Sequence, residues 1–213
     1  MAHIESINIT HAVLEGEWAG SVGATGIDKR PASGRLRLAK NAVEGDRILD
    51  TSSHGGVHKA VYAYADEDRK WWESELGINI SNGSFGENLT TLGVDVTNAL
   101  IGEKWKIGST LLEVSEPRIP CRVFAGFWQR PTLIKDFTTA ARPGAYLRII
   151  EEGEIGAGDL IEIISKPKHG ITIRDLFRAK SGERSKMAKI ATLPELSDAY
   201  REWAKKILIA NQN

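Results

Sequence analysis

The chain has 213 residues, 41% hydrophobic and 26% charged, with 28 Lys and Arg balanced by 28 Asp and Glu. That is enough apolar material for one substantial core, while no run approaches the ~18 consecutive apolar residues of a membrane span. Zero formal net charge excludes a global field that would draw the protein to a nucleic-acid polymer or anionic lipid, and a single cysteine excludes an internal disulfide.

The N-terminus, MAHIESINIT, lacks the basic-then-apolar order of an export signal. The lone thiol suits a reducing compartment, so a cytoplasmic location is expected. From His3 to about Ser165, short β-branched runs alternate with Gly, Pro, Asn or Asp, the pattern of a strand-rich barrel or sandwich. Strands are predicted over Ile4–Ile9, Arg35–Leu38, Lys59–Tyr64, Lys104–Ile107, Thr110–Val114, Tyr146–Ile150 and Leu160–Ile164. Between the first two, Gly16–Gly34 carries several glycines and few apolar anchors and reads as a long loop. Helices are predicted over Asp66–Leu76, where Trp72 and Leu76 share a face, and over Thr132–Ala141. After Lys166-Pro167-Lys168 the texture changes. Thr172 and Asp175 form a capping box, a short helix spans Glu183–Ala191, and Ser197 caps a last helix with Tyr200, Trp203, Ala204, Ile207 and Leu208 on one stripe. The chain thus divides into a mainly β part, residues 1–165, and a three-helix segment, residues 166–213. Helices this polar cannot form a core alone; they must pack on the β part or on a second copy, as in a homodimer.

Cys121 stands in Ser115-Glu116-Pro117-Arg118-Ile119-Pro120-Cys121-Arg122, where two prolines restrict the backbone and two arginines flank the thiol. Neighbouring guanidinium groups favour the thiolate, the form that attacks and that binds metals. The plain alternative is a small buried hydrophobe. His54-Gly55-Gly56 offers backbone amides that can approach an anion, or simply a tight turn into a strand. His54 and His58 have zinc-like spacing only on a helix, and Gly55-Gly56 argues against one. Gly83 to Thr90 is a glycine-rich turn feeding a strand, with Asn88 able both to donate and to accept. Lys29, Arg30, Arg35, Arg37 and Lys40 form a basic cluster in which Arg35 and Arg37 share a strand face, either lining an anion pocket or simply solvated. Glu116 beside Arg118 reads as a surface ion pair, Asp46 as a turn former, and Arg148 as either a site partner or a salt bridge in the barrel.

Taken in order, Glu44-Gly45-Asp46, His54-Gly55-Gly56 with Ala60-Val61-Tyr62, Phe85-Gly86-Glu87-Asn88-Leu89, Ser115 to Cys121, Gly144 to Arg148 and Gly153 to Asp159 resemble the MOSC family, named for the C-terminal domain of molybdenum cofactor sulfurases. The resemblance covers about residues 25 to 165 and is narrower still to the stand-alone YiiM-like branch, whose three-helix extension the tail resembles. It implies a MOSC-type β-barrel in which Cys121 ligates molybdenum and the dithiolene of molybdopterin completes the site. It also implies that Arg118, Arg35 and Lys29 hold the cofactor phosphate, and that His54, the Gly55 and Gly56 amides and Asn88 line the pterin side. The implied activity is reduction of small N-hydroxylated compounds such as hydroxylaminopurine. With one cysteine and no flavin motif, electrons would come from a separate redox protein. The alternative is a non-catalytic carrier of cofactor or sulfur. Bound pyridoxal phosphate is not expected, because it belongs to a desulfurase domain for which 213 residues leave no room.

Overall fold

The computed structural model describes residues 1–52 and 54–210. β1 (His3–Glu15) and β2 (Ala24–Pro31) form an antiparallel hairpin whose tip carries a 3-10 turn, Glu17–Ala19. β3 (Arg35–Ala39) and β4 (Ala42–Val43) precede β5 (Val61–Ala65), α1 (Asp66–Leu76) and β6 (Leu89–Leu92). There follow β7 (Lys104–Ile107), β8 (Thr110–Pro117), α2 (Arg122–Phe127), α3 (Leu133–Ala140), β9 (Ala145–Glu151), β10 (Gly153–Gly156) and β11 (Ile161–Ser165). Three helices end the described chain: α4 (Ile173–Lys180), α5 (Met187–Ala191) and α6 (Asp198–Ala210).

Eight strands make one mixed sheet in the order β11-β7-β8-β9-β5-β6-β1-β2, and β10-β3-β4 make a small second one. Within the large sheet only β5 and β6 run parallel. The strands do not pair into the closed barrel expected from the sequence: β11 and β2 are edges. The start of β1 reaches β11 through an isolated bridge, His3 to Leu160, flanked by the Ile4 N–H on the Asp159 carbonyl at 2.9 Å.

The predicted loop Gly16–Gly34 is corrected by β2, which occupies much of it. This strand escapes a sequence reading because it lies at the sheet's edge, pairs only with a twice-bulged β1, and contributes only Ile27 to apolar packing. With one anchor there is no alternation to see. The reverse holds for β5, buried at all five positions in the middle of the sheet. α1 opens on Asp66, Glu67 and Asp68, favourable at the positive end of the helix dipole, and closes on Gly77 in the left-handed region.

The tail packs on the sheet. Thr172 and Asp175 form the expected capping box, and Ile173 and Leu176 of α4 join a core with Trp105, Ile107 and Leu112. On α6, Ala204 is fully buried, and Tyr200, Trp203, Ile207 and Leu208 pack against the same core. A second, aromatic cluster joins Tyr64, Trp72, Phe85, Phe124 and Phe137, with Cys121 at its margin. No described helix is long and apolar enough to cross a membrane.

Candidate functional site

Beside the aromatic cluster lies a cavity of about 110 Å³, room for several waters or a phosphate-sized anion. Its wall takes Lys29 from β2, His54 and Gly55 from the loop before β5, and Asn88 from the residue before β6. Arg118 and Cys121 come from the segment between β8 and α2, and Tyr62 and Tyr146 from the neighbouring strands β5 and β9. Six of the eight residues expected from the sequence therefore meet at one place: Lys29, His54, Gly55, Asn88, Arg118 and Cys121.

One side of the cavity is a saturated polar network. Asp46 Oδ1 accepts from the Thr10 N–H (3.0 Å) and the Thr10 hydroxyl (2.9 Å), while Oδ2 accepts from Lys29 Nζ (2.5 Å) and Asn88 Nδ2 (2.8 Å). The Lys29 and Asp46 side chains are 9% and 4% exposed. Burial pushes the Lys29 ammonium below the usual lysine range although Asp46 opposes it. Burial alone would raise Asp46, but Lys29, Asn88 and Thr10 together hold its carboxyl below the usual range. Asn88 Oδ1 takes the Tyr62 N–H at 3.1 Å, and Nδ2 also reaches the Asn8 carbonyl at 3.3 Å. Asn88 is thus on the wall but occupied in clasping β1, β5 and Asp46 together. Beside it, Glu87 is fully buried and accepts from the Gly83 N–H, the Phe85 N–H and the Thr90 hydroxyl, which holds the 83–88 turn against β2. At Gly83, φ is +88° and a Cβ would stand 2.3 Å from the Lys29 carbonyl oxygen, so no other residue fits there.

The other side carries unsatisfied charge. Arg118 is 5% exposed, its guanidinium lies 3.9 Å over the Phe124 ring, and Nη1 has no hydrogen-bond partner among the described residues. Cys121 is half-buried at the N-terminus of α2, with its thiol not engaged in capping. His54 is held below the ordinary histidine range by burial, then by Arg118 and Lys59, so it is neutral at neutral pH. Burial raises the Tyr146 hydroxyl, with Arg118 opposing.

Arg35 is the clear departure. Alternation does place Arg35 and Arg37 on one face of β3, but β3 pairs with β10 in the small sheet, and that face meets Asp159 (2.8 Å from Arg35) and Glu152. Arg35 does not line the cavity, nor does Gly56. Arg122, the second arginine beside the thiol, turns outward to the Glu17 carbonyl. Glu116 is not a surface ion-pair partner: it is buried and accepts from the Ser197 hydroxyl at 2.9 Å. Arg148 bonds Glu113, the His58 Nδ1 (2.9 Å) and the Glu195 carbonyl (2.6 Å), a clamp between sheet and tail. Sequence reasoning missed Tyr62, Tyr146 and Lys59, which read as ordinary strand positions, and took Asp46 for a turn former. The signal available for Asp46 was its place in the ordered set of motifs.

The MOSC domain matches residues 50–162, more than half of the chain. The chain belongs to the MOSC domain family. It is 32% identical to the Bacillus subtilis protein YflK over 188 residues, 87% of this chain and 85% of that protein. A Gibberella moniliformis protein named "Reductase" is 29% identical over 203 residues, 92% of this chain but only 36% of that protein's length. Among solved structures, YiiM from Geobacillus stearothermophilus superposes with a TM-score of 0.80 at 30% identity, covering 97% of this chain and 98% of that one. The family is associated with molybdenum cofactor, and the residues on the cavity wall fit such a group. A soft sulfur donor, a buried guanidinium and a buried ammonium line one space, a donor set that suits a thiolate-bound metal with an anionic tail.

Proposed function

We propose that this protein binds molybdenum cofactor through Cys121 and reduces small N-hydroxylated compounds, hydroxylaminopurine-type bases among them. The observation that carries the reading is the meeting of Cys121 and the buried Arg118 on the wall of one cavity. Arg118 would hold the phosphate by charge-assisted bonds, and the Gly55 amide and His54 would face the pterin. Arg35 has no part in this site. Bound there, the molybdenum centre would supply the two-electron couple for reductive cleavage of an N–OH group. The chain's own residues orient and exclude: Tyr62 and Tyr146, with ring centroids 5.1 Å apart and planes inclined at 39°, give the cavity an aromatic wall on which a base can pack. The name of the Gibberella relative agrees with reductive chemistry. Electrons come from a separate redox protein. The substrate is small rather than a nucleic-acid polymer, since the chain carries no net charge. The site of action is the cytoplasm.

The test is turnover. Holoprotein from cofactor-competent cells, given a chemical reductant and hydroxylaminopurine, is expected to release many equivalents of amine per molybdenum. Release of a single equivalent, or transfer of cofactor to an acceptor enzyme without reduction, would replace the reductase by the carrier.

A further inference from the structure

Resting on the reductase reading, we infer that Lys29, held in place by Asp46, delivers the proton taken up by the departing oxygen, while Arg118 supplies fixed charge only. Reductive cleavage follows R–NH–OH + 2 e⁻ + 2 H⁺ → R–NH₂ + H₂O. The N–O bond breaks, the electrons come from the reduced partner protein, the oxygen gains one proton and leaves as water, and the nitrogen gains the other. A buried site must supply the proton to the oxygen from a group at hand, because hydroxide is a poor leaving group.

The cavity wall narrows the choice. An arginine guanidinium is a fixed charge rather than a proton donor, which sets Arg118 aside. His54 is neutral, and Tyr62, whose hydroxyl already donates to the Pro143 carbonyl at 2.8 Å, is pushed to weaker acidity by burial. Two lysines line the wall, Lys29 and Lys59, and Lys29 is fixed by a buried carboxylate: among the described residues its Nζ has one hydrogen-bond partner, Asp46, leaving N–H groups for the cavity. Asp46 accepts four hydrogen bonds and is anchored on β1 through Thr10, so it fixes Nζ without needing to move. The charged groups acting on Lys29 are Asp46, Glu87 and Arg118, and burial outweighs the two carboxylates, which makes the ammonium a stronger acid than a surface lysine. Solvent reprotonates it through the open mouth between turnovers.

Lys29→Arg keeps the charge and the Asp46 contact but cannot release a proton at neutral pH. In this variant, kcat for hydroxylaminopurine reduction is expected to fall by about 10²-fold or more, the scale of lost general-acid catalysis, with molybdenum content and melting temperature unchanged. Wild-type kcat should decline at alkaline pH, and Lys29→Arg should lack that limb. A readout independent of turnover uses cofactor-free wild type: NMR titration of the lysine side chains, with the Lys29 signal assigned by its loss in Lys29→Arg, should show Lys29 deprotonating below the remaining lysines. Titration together with them, or full turnover in Lys29→Arg, would overturn the inference. So would loss of the alkaline limb in Lys59→Arg but not in Lys29→Arg. Should Lys29→Arg fail to fold, Lys29→Gln assigns the signal instead, and the wild-type titration and pH profile decide. Absence of any N-hydroxyl reduction by wild-type holoprotein would instead refute the reductase reading.

Discussion

Replacing Arg118 by Met separates what the guanidinium does for the fold from what it does for a ligand. In the cofactor-free protein the substitution removes a buried Nη1 without a partner, whose desolvation costs about 1–3 kcal/mol. It also removes the cation–π contact with Phe124 at 3.9 Å, worth about 1–2 kcal/mol when desolvated. Met retains the apolar stem, so these opposed effects leave apo stability within about 1 kcal/mol of wild type. Anion binding shows no such cancellation. One or two charge-assisted bonds at about 1.5–3 kcal/mol each should weaken pyrophosphate binding by at least ~10-fold. Thermal unfolding across a pyrophosphate titration measures both, since a ligand of the native state stabilises it by RT ln(1 + [L]/Kd). The reasoning fails if apo Arg118→Met loses more than about 3 kcal/mol, which would make the guanidinium structural. It also fails if pyrophosphate stabilises both proteins equally.

Glu116 carries a pH signature. Burial, opposed by the Ser197 hydroxyl and nearby cations, raises its carboxyl above the usual glutamate range. The folded state therefore holds the proton after the unfolded state has lost it, and stability falls as pH rises from the ordinary glutamate pKa through the raised one. Glu116→Gln, which can still accept from Ser197, should flatten that decline in a series of melting temperatures; an unchanged slope would remove Glu116 as its source. Truncation after Lys166 should abolish folding, because Ile173, Leu176, Phe177 and Ile190 are each essentially fully buried. At about 1.5–3 kcal/mol apiece their loss rivals the whole stability of a domain. A soluble truncated protein with a cooperative melt would show that the β part is self-sufficient.

Legibility followed physics rather than importance. A strand buried on one face, such as β7, announces itself by alternation, and the α4 cap by its Thr-x-x-Asp spacing. β2 is hidden because an edge strand with one apolar anchor has no period, and α2 because six residues that bury only Phe124 and Ala125 are too short to show a helical period. Within the site, Cys121, Arg118, His54 and Gly55 stood out as polar or glycine positions in segments restricted by Pro or Gly. Tyr62 and Tyr146 did not, since an aromatic residue in a buried strand looks the same whether it faces the core or a cavity. Arg35 shows the converse limit. Period-two alternation fixes which residues share a face but not what that face meets, and here it met Asp159. Asp46 was undervalued because Gly45-Asp46 is also a turn signal, while its charge partner Lys29 lies on the strand that could not be seen.

Molybdenum and pterin content, measured on wild type and Cys121→Ser purified from the same cofactor-competent cells, bears most directly on the cofactor assignment. Serine is a favoured helix N-cap and nearly isosteric, so Cys121→Ser should melt at or slightly above the wild-type temperature. Wild type should carry about one molybdenum with its pterin per chain, whereas the variant should lose the metal and all N-hydroxyl reduction, because a protonated hydroxyl cannot replace a soft thiolate. Wild type without molybdenum, or a variant that binds the metal and turns over as wild type does, would contradict the role given to Cys121.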